Sequence, residues 1–462
     1  MEASEILRMS ALEQAQEIRE GRLSSVELTK LYLRRIEEHN DNLNAFVHVG
    51  AKRALKLAAQ ADSARQRRGW DGGPLFHGVP TGIKDLVPTA WTPTHLGSRA
   101  YRYFVSPVDG PVVKLIRAGG FVSLGKLATS EFGVLPVTEP DIHPPTRNPW
   151  DLERSSGGSS GGSSAAVAAD LIPIAHGSDG GGSVRIPAAL CHLFGFKPSL
   201  STLGNLHGRY NRLGISVMGP LARYVEDAAA MIDVMAGRPN GGAEDESCLA
   251  AARRDPDALK IRMYTQSPIG PVDPEIASAT KAVADVLREL GHTVVETEVA
   301  TGTLEEFLPV WRFAVSGVPS LSEGFLQSVT RWLRRADGKP SLEDARAIQM
   351  MLVQRIEAMF GDADVLLSPT VSTVAPPIAE FTRPDDPESW FKRAAQLGGL
   401  TAPFNLTTGP AASLPLGLTE SGLPYGIQIG SHVGNDQLLF SLSRQLERAL
   451  PWRQRRSPLA AD

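Results

Sequence analysis

The sequence predicts an α/β fold built on an inner β-sheet, and three observations predict it. Short apolar runs bounded by Gly and Pro, such as Gly78–Val87, read as buried strands. These runs alternate with helical patterns: residues 110–119 read as a helix and 120–125 as the next strand. The chain has 462 residues, 42% hydrophobic and 21% charged, enough to bury a large core without a disulfide or metal staple.

The N-terminus reads as two helices. Ser10 precedes an apolar-periodic run through Ile18. Ser24 with Glu27 three residues on forms a capping box that opens a helix over roughly 25–39. Val26, Leu28, Leu31, Leu33 and Ile36 recur there at helical spacing and are expected to face inward. A helix rich in Ala and Arg follows at about 50–67, then the strand, helix and strand described above. Residues 155–164 are all Ser and Gly; Ala165–Ala169 reads as a helix and Leu171–Ala175 as a strand, and a second Gly run, Gly177–Ser183, comes soon after. Residues 238–257 are polar and Gly-rich, a surface link. Strands at 259–264 and 293–298 bracket a helix at 274–290. Long helices fill 303–336 and 341–360, and Val365–Leu367 is a strand. Residues 374–390, with several prolines and the pair Asp385–Asp386, read as a loop. Strands at 411–417 and 425–430 and a helix at 434–449 complete the chain.

Composition excludes several classes. Lys and Arg number 47 against 51 Asp and Glu, a net charge of −4, which argues against a broad basic face for nucleic acid. The two cysteines, Cys191 and Cys248, lie far apart and form no CxxC motif, which fits a reducing, cytoplasmic setting. The first twenty residues carry charges every few positions and do not read as a secretory signal, and no run of about 20 apolar residues predicts a membrane span. The 44 Gly and 34 Pro are clustered rather than periodic, which excludes collagen and repeat arrays.

Several motifs compete for the chemistry. The Ser/Gly stretch 155–164 has the composition of a linker, yet patterned elements flank it and a second Gly-rich loop lies close by. Gly157–Gly161 satisfies the G-x-S-x-G elbow, but that elbow needs a strand before it, and residues 148–154 do not read as one. Gly120–Lys126 gives G-x-x-x-x-G-K, but Leu127 stands where a P-loop has Ser or Thr. Ser123–Lys126 matches S-x-x-K without its companion motifs. In Gly180-Gly181-Gly182-Ser183, successive backbone N–H groups unobstructed by side chains can converge as an anion-binding nest, and a tight turn is the alternative. A Ser nucleophile needs a base. His176 reads as structural. Lys84 lies in a run of apolar and small residues, where burial disfavours the ammonium and makes a proton-accepting amine accessible. A pair between Lys84 and neighbouring Asp85 is the alternative, and the sequence leaves the two open. No His, Cys, Asp or Glu cluster has metal-ligand spacing, so neither metal nor cofactor is expected.

These motifs together resemble the amidase signature family. The resemblance rests on Gly157–Ser163, Gly177–Ala189 and Gly78–Asp85, with further ordered blocks at Gly125–Lys126, Glu131–Gly133, Thr146–Trp150, Gly195–Pro198, Met218–Arg223 and Pro403–Thr407. Residues 240–390 match weakly. The resemblance implies a large mixed central sheet flanked by helices on both faces, with a variable helical cap. It implies a Ser–cis-Ser–Lys triad: Ser183 as nucleophile, Ser159 as bridging serine after a cis peptide bond, and Lys84 as base. It implies an oxyanion hole from the N–H groups of Gly180, Gly181, Gly182 and Ser183, with Asp179, Arg185 and Ser160 in support; for Asp179 and Arg185 a surface ion pair or a turn cap is the alternative. Gly180 departs from the family, which often has Thr or a hydrophobic residue there.

The chain looks most similar to the stand-alone bacterial amidases, including cyclic nylon-oligomer hydrolases, on Thr138–Pro140, Thr146–Trp150 and Gln445–Trp452. The implied function is cleavage of the C–N bond of linear or aryl amides, and also of esters or carbamates, through an acyl-enzyme that water resolves. The acyl pocket is expected from the loop 131–138 and the variable region 303–400, with Phe132, Gly133, Val134, Trp311, Phe313 and Phe404 as candidates. The expected partners are a small-molecule substrate and water, with no nucleic acid or membrane, and the expected state is monomer or homodimer. The expected organisation is one domain over 1–462: N-terminal helices to 68, a catalytic core over 69–237, a largely helical cap over 238–390 and a completing segment over 391–462. Two alternatives stay open: the glutamine-hydrolysing subunit of a tRNA-dependent amidotransferase, and a catalytically dead binding scaffold.

Overall fold

A computed structural model describes residues 1–68, 73–318, 320, 322–335 and 339–460. Thirteen strands are present in the described residues: β1 Phe46–Val49, β2 Pro80–Lys84, β3 Val122–Leu127, β4 Arg147–Asn148, β5 Asp151–Ser155, β6 Ile174–Asp179, β7 Phe194–Lys197, β8 Val217–Ala222, β9 Lys260–Met263, β10 Thr293–Glu296, β11 Val365–Pro369, β12 Ala411–Leu418 and β13 Pro424–Ser431. Eleven of them form one sheet in the order β1-β3-β2-β6-β8-β7-β12-β13-β11-β9-β10, and β4 pairs with β5 apart from it. The sheet is mixed. β2 lies parallel to β3 and β6, whereas β8 is antiparallel to both β6 and β7. β2, β6, β7, β8 and β13 are buried along their whole length, as strands covered on both faces must be.

The helices flank this sheet. Ser10–Glu13 and Ser24–Glu27 both form complete capping boxes, opening helices Ala11–Glu20 and Ser25–Leu43. The buried stripe of the second helix is Leu28, Thr29, Leu31, Tyr32 and Ile36; Val26 and Leu33 are only partly covered. A further short helix, Ala3–Arg8, precedes them, so the N-terminus holds three helices rather than the expected two. In the main core Phe196 stacks on Phe440 of the last helix with ring centroids 4.0 Å apart.

Several expected elements shift. The helix expected at 165–169 begins inside the Ser/Gly stretch, at Gly161–Ala168, and the strand expected at 171–175 is β6, displaced toward the second Gly run. Residues 155–164 are all buried, so they are packed backbone rather than a linker. The reason is close approach: a Cβ on Gly162 would lie 2.3 Å from the Ala128 nitrogen and 2.6 Å from the Ala45 carbonyl oxygen. The helix expected over 303–336 is two helices, Leu304–Ser316 and Ser328–Arg334, and residues 319, 321 and 336 of that range lie outside the described residues. The loop expected at 374–390 ends in a helix, Pro387–Ala395, because Asp386 caps it by accepting from the Ser389 N–H. The segment 238–390 is also more than a cap: β9, β10 and β11 come from it and complete one end of the sheet. Among the described residues no helix is long and apolar enough to cross a membrane.

Candidate active site

Lys84 ends β2 and is fully buried. Its Nζ lies 2.8 Å from Ser159 Oγ, 2.8 Å from Ser160 Oγ and 3.1 Å from Ser178 Oγ, and it donates to the Ser178 carbonyl at 3.2 Å. Burial lowers its pKa from the usual lysine range to about 7, against the pull of the Asp179 charge. The amine is therefore available in its neutral form near neutral pH. Ser159 follows a cis peptide bond from Gly158, as the resemblance implies. Gly133 packs over it, with space for a Cβ only 3.2 Å from Ser159 Oγ.

The expectation that no strand precedes Gly157 fails, because β5 ends at Ser155 and the helix from Gly161 follows. What separates Ser159 from an elbow nucleophile is its partner, which is Lys84 rather than a histidine.

The second Gly run leads out of β6. Ser160 N–H donates to the Ser183 carbonyl at 3.2 Å and ties the two loops together. Asp179 organises the turn. Its carboxylate accepts from the N–H groups of Gly182 at 2.7 Å and Val184 at 3.1 Å, and from Arg185 Nε and Nη2 at 3.0 and 2.9 Å. Burial alone would raise the Asp179 pKa, but the Arg185 charge and hydrogen bonds prevail and hold it below the usual carboxylate range. Arg185 is itself fully buried and donates to Thr401 O, Gln428 Oε1 and Asn405 Oδ1. Asn405 Nδ2 returns to Asp179 Oδ1 at 2.9 Å, and Thr401 Oγ1 donates to Gly181 O at 2.7 Å.

One N–H of the expected oxyanion set, that of Gly182, is already engaged. The Gly182 N–H is spent on Asp179, so Gly180, Gly181 and Ser183 are the members of the run whose N–H groups make no hydrogen bond to the described residues. Gly182 instead serves the turn, at φ +124° with a Cβ position 2.1 Å from Thr401 Oγ1.

Two cavities meet at Ser183. One, of about 600 Å³, is bordered by Ser159, Ser178, Gly180, Phe132, Gly133 and His207. The other, of about 80 Å³, is bordered by Gly181, Leu135, Ile186 and Phe307. Ser183, Val134 and Trp311 border both. The Trp311 ring edge stands 3.6 Å from the Cβ position of Gly180 and 3.8 Å from that of Gly181. Phe404 is a correction: it is fully buried beneath Gly430 of β13 and borders neither cavity, because the close approach of its helix to the sheet turns the ring into the core. Phe313 borders neither cavity and packs beside the Arg212 guanidinium.

Sequence reasoning missed Ser178, His207, Thr401 and Asn405. Asn405 was within reach, since it sits in the matched block Pro403–Thr407. Ser178 was too, since it sits in the matched block Gly177–Ala189; His207 and Thr401 carry no local signal. Among the described residues no group of three or more His, Cys, Asp or Glu side chains could hold a metal ion.

The amidase family model matches residues 27–440 of the chain. A putative amidase of Synechocystis sp. is 35% identical over 97% of this chain and 90% of its own length. Among solved structures, 6-aminohexanoate cyclic dimer hydrolase complexed with substrate superposes with a TM-score of 0.85 at 29% identity, over 98% of this chain and 99% of that one. A bacterial aryl acylamidase of the amidase signature enzymes superposes with a TM-score of 0.84 at 26% identity, over 96% and 97%.

Proposed function

From the premise that the chain belongs to the amidase signature family and is an amide-hydrolysing enzyme, we propose that Ser183, Ser159 and Lys84 carry the reaction as a Ser–cis-Ser–Lys triad. The observation that supports this most is the buried Lys84 amine, held among Ser159, Ser160 and Ser178 hydroxyls with its pKa near 7. Neutral Lys84 takes a proton from Ser159, and Ser159 takes one from Ser183. Ser183 Oγ then attacks the substrate carbonyl carbon. The N–H groups of Gly180, Gly181 and Ser183 stabilise the oxyanion, a contribution on the order of 3–4 kcal/mol per donor at such sites. The C–N bond breaks as the relay returns a proton to the leaving amine, and water cleaves the resulting ester. Ser183 Oγ makes no hydrogen bond to Ser159 among the described residues; in this reading that bond forms around bound substrate, as catalytic hydrogen bonds commonly do.

Asp179 and Arg185 hold the Gly run in register, and Ser160 anchors the lysine. Phe132, Gly133, Val134 and Trp311 contact the substrate. Linear and aryl amides fit these largely apolar walls, and esters and carbamates pass through similar tetrahedral intermediates. The chain acts as a single catalytic unit, as monomer or homodimer. The test is labelling with a serine-reactive fluorophosphonate, with the adduct located by peptide mass spectrometry. The expected result is one adduct, on Ser183, lost in Lys84→Ala. An adduct on Ser159, or none, overturns the triad.

A further inference from the structure

His207 borders the larger cavity on a loop that the structure cross-ties firmly. Its Nε2 lies 3.1 Å from Ser216 Oγ, and Ser216 Oγ lies 3.6 Å from the Cβ position of Gly180. Asn211 clamps the same loop, accepting from the Ser216 N–H at 3.1 Å and donating to the Ser216 carbonyl at 2.7 Å. Asn205 Nδ2 adds bonds to the carbonyls of Gly208 and Asn211. The imidazole is thus fixed relative to the Gly run and Ser183. Its Nδ1 makes no hydrogen bond to the described residues. The surroundings are mostly apolar: Leu86, Phe104, Phe132, Val134, Met218 and Trp311 border the same cavity, and among the described residues no Asp, Glu, Lys or Arg side chain does.

We propose that His207 is a specificity-determining substrate contact, taking a hydrogen bond to an uncharged polar group, such as a second amide, held at a fixed distance from the carbonyl at Ser183. The inference rests on the hydrolase reading of that site. Partial burial, with the Lys84 charge nearby, lowers the His207 pKa to about 4, so the ring carries no charge to pair with a carboxylate at pH 7, in keeping with a cavity wall that no charged side chain borders among the described residues. A site built to hydrogen-bond a substrate group discriminates against an analogue lacking it, because the protein's polar atom is then left unpaired. The substrate class is an amide with an apolar body and one internal neutral amide or carbonyl.

The test uses two pairs of compounds matched in length. Hexanoic acid p-nitroanilide is compared with N-acetyl-β-alanine p-nitroanilide, which places the second amide on the acyl side. N-pentylbenzamide is compared with N-(2-acetamidoethyl)benzamide, which places it on the amine side. Affinity is measured by calorimetry on full-length Ser183→Ala protein, so that turnover does not interfere. The expected result is about tenfold tighter binding of the amide-bearing member in one pair. That preference is lost in Ser183→Ala/His207→Leu and partly restored in Ser183→Ala/His207→Asn, with melting temperatures matching the parent. Equal affinity within both pairs overturns the proposal even if neither double variant folds. A preference that survives His207→Leu in folded protein overturns it as well. Neither result touches the hydrolase reading, which stands or falls on fluorophosphonate labelling of Ser183 in the unmodified chain.

Discussion

Asp85 pairs with Lys126, 3.3 Å away on the neighbouring strand, and not with Lys84, to which it is joined in sequence. Successive residues of an extended chain point to opposite sides. Asp85 therefore turns toward β3, where Lys126 also donates to Val87 O and Thr94 Oγ1, while Lys84 turns toward the Ser/Gly loops. The carboxylate that would have kept Lys84 protonated is engaged elsewhere, and a lysine among hydroxyls is the result.

The first prediction is a pH profile. Lys84 acts as a base only when neutral, and its pKa is about 7. The value of kcat/KM should fall about tenfold per pH unit below that point and level off above it. Lys84→Arg, which stays charged, should be inactive at every pH. A profile flat from pH 5 to 9 in the unmodified enzyme would remove Lys84 as the base.

The lowered pKa also couples stability to pH. The folded pKa of Lys84, about 7, lies below the unfolded value of about 10.4. Between those values the unfolded chain binds more protons, so stability from this group rises with pH, and its penalty is fully present below about pH 7. Relative to Lys84→Met, the unmodified protein should gain stability from pH 7 to pH 10, by up to about 1.4 kcal/mol for each pH unit climbed. Denaturant melts of both proteins at the two pH values check this, and parallel pH dependence would show that Lys84 titrates as an ordinary lysine.

Asp179→Ala should strike both fold and rate. It strips the carboxylate from fully buried Arg185 and frees the N–H groups of Gly182 and Val184. Leaving a buried charge uncompensated costs about 3–5 kcal/mol. Removing Arg185 as well should recover part of that stability but not the activity, because the Gly run would still lack its anchor. Urea unfolding read beside kcat separates the two effects.

Gly182→Ala should be nearly inactive and destabilised. An alanine would have to adopt φ +124° and place its Cβ 2.1 Å from Thr401 Oγ1. Thr401→Ser leaves that contact in place and should not rescue the variant, whereas Thr401→Gly in the same chain should recover some folding. Unchanged activity in Gly182→Ala would mean that the loop is not held as described.

Trp311→Ala should merge the two cavities that meet at Ser183. The ring borders both and stands over Gly180 and Gly181. The expected outcome is a shift of kcat/KM toward bulkier anilides, with kcat for small ones reduced by looser positioning. An unchanged size profile would place the dividing wall elsewhere.

The local signals in this chain were legible because local physics makes them. Ser10 and Ser24 cap their helices through side-chain oxygens three residues from the N–H groups they serve, so no distant residue decides the outcome. The alternation of apolar runs and helices predicted an α/β fold, the residues themselves offered Lys84 and Ser183 as candidates, and the family resemblance carried by the Ser/Gly and Gly/Ser blocks added Ser159 and the enzymatic reading. Folding decided what depends on long-range contact. Residues 155–164 have linker composition, and only the close approach of distant segments explains their glycines as packing: Pro187 at Gly157, Pro136 and Val137 at Gly158, Thr138 at Gly161, and Ala45 and Ala128 at Gly162. Phe404 belongs to a matched block, yet its ring enters the core. His207, far from every motif, reaches the cavity because its loop is tied to Ser216. Most telling is Lys84: the sequence left open a neutral, proton-accepting amine and an ion pair with neighbouring Asp85. Strand geometry sends adjacent side chains to opposite sides, and that settled which environment the amine would meet.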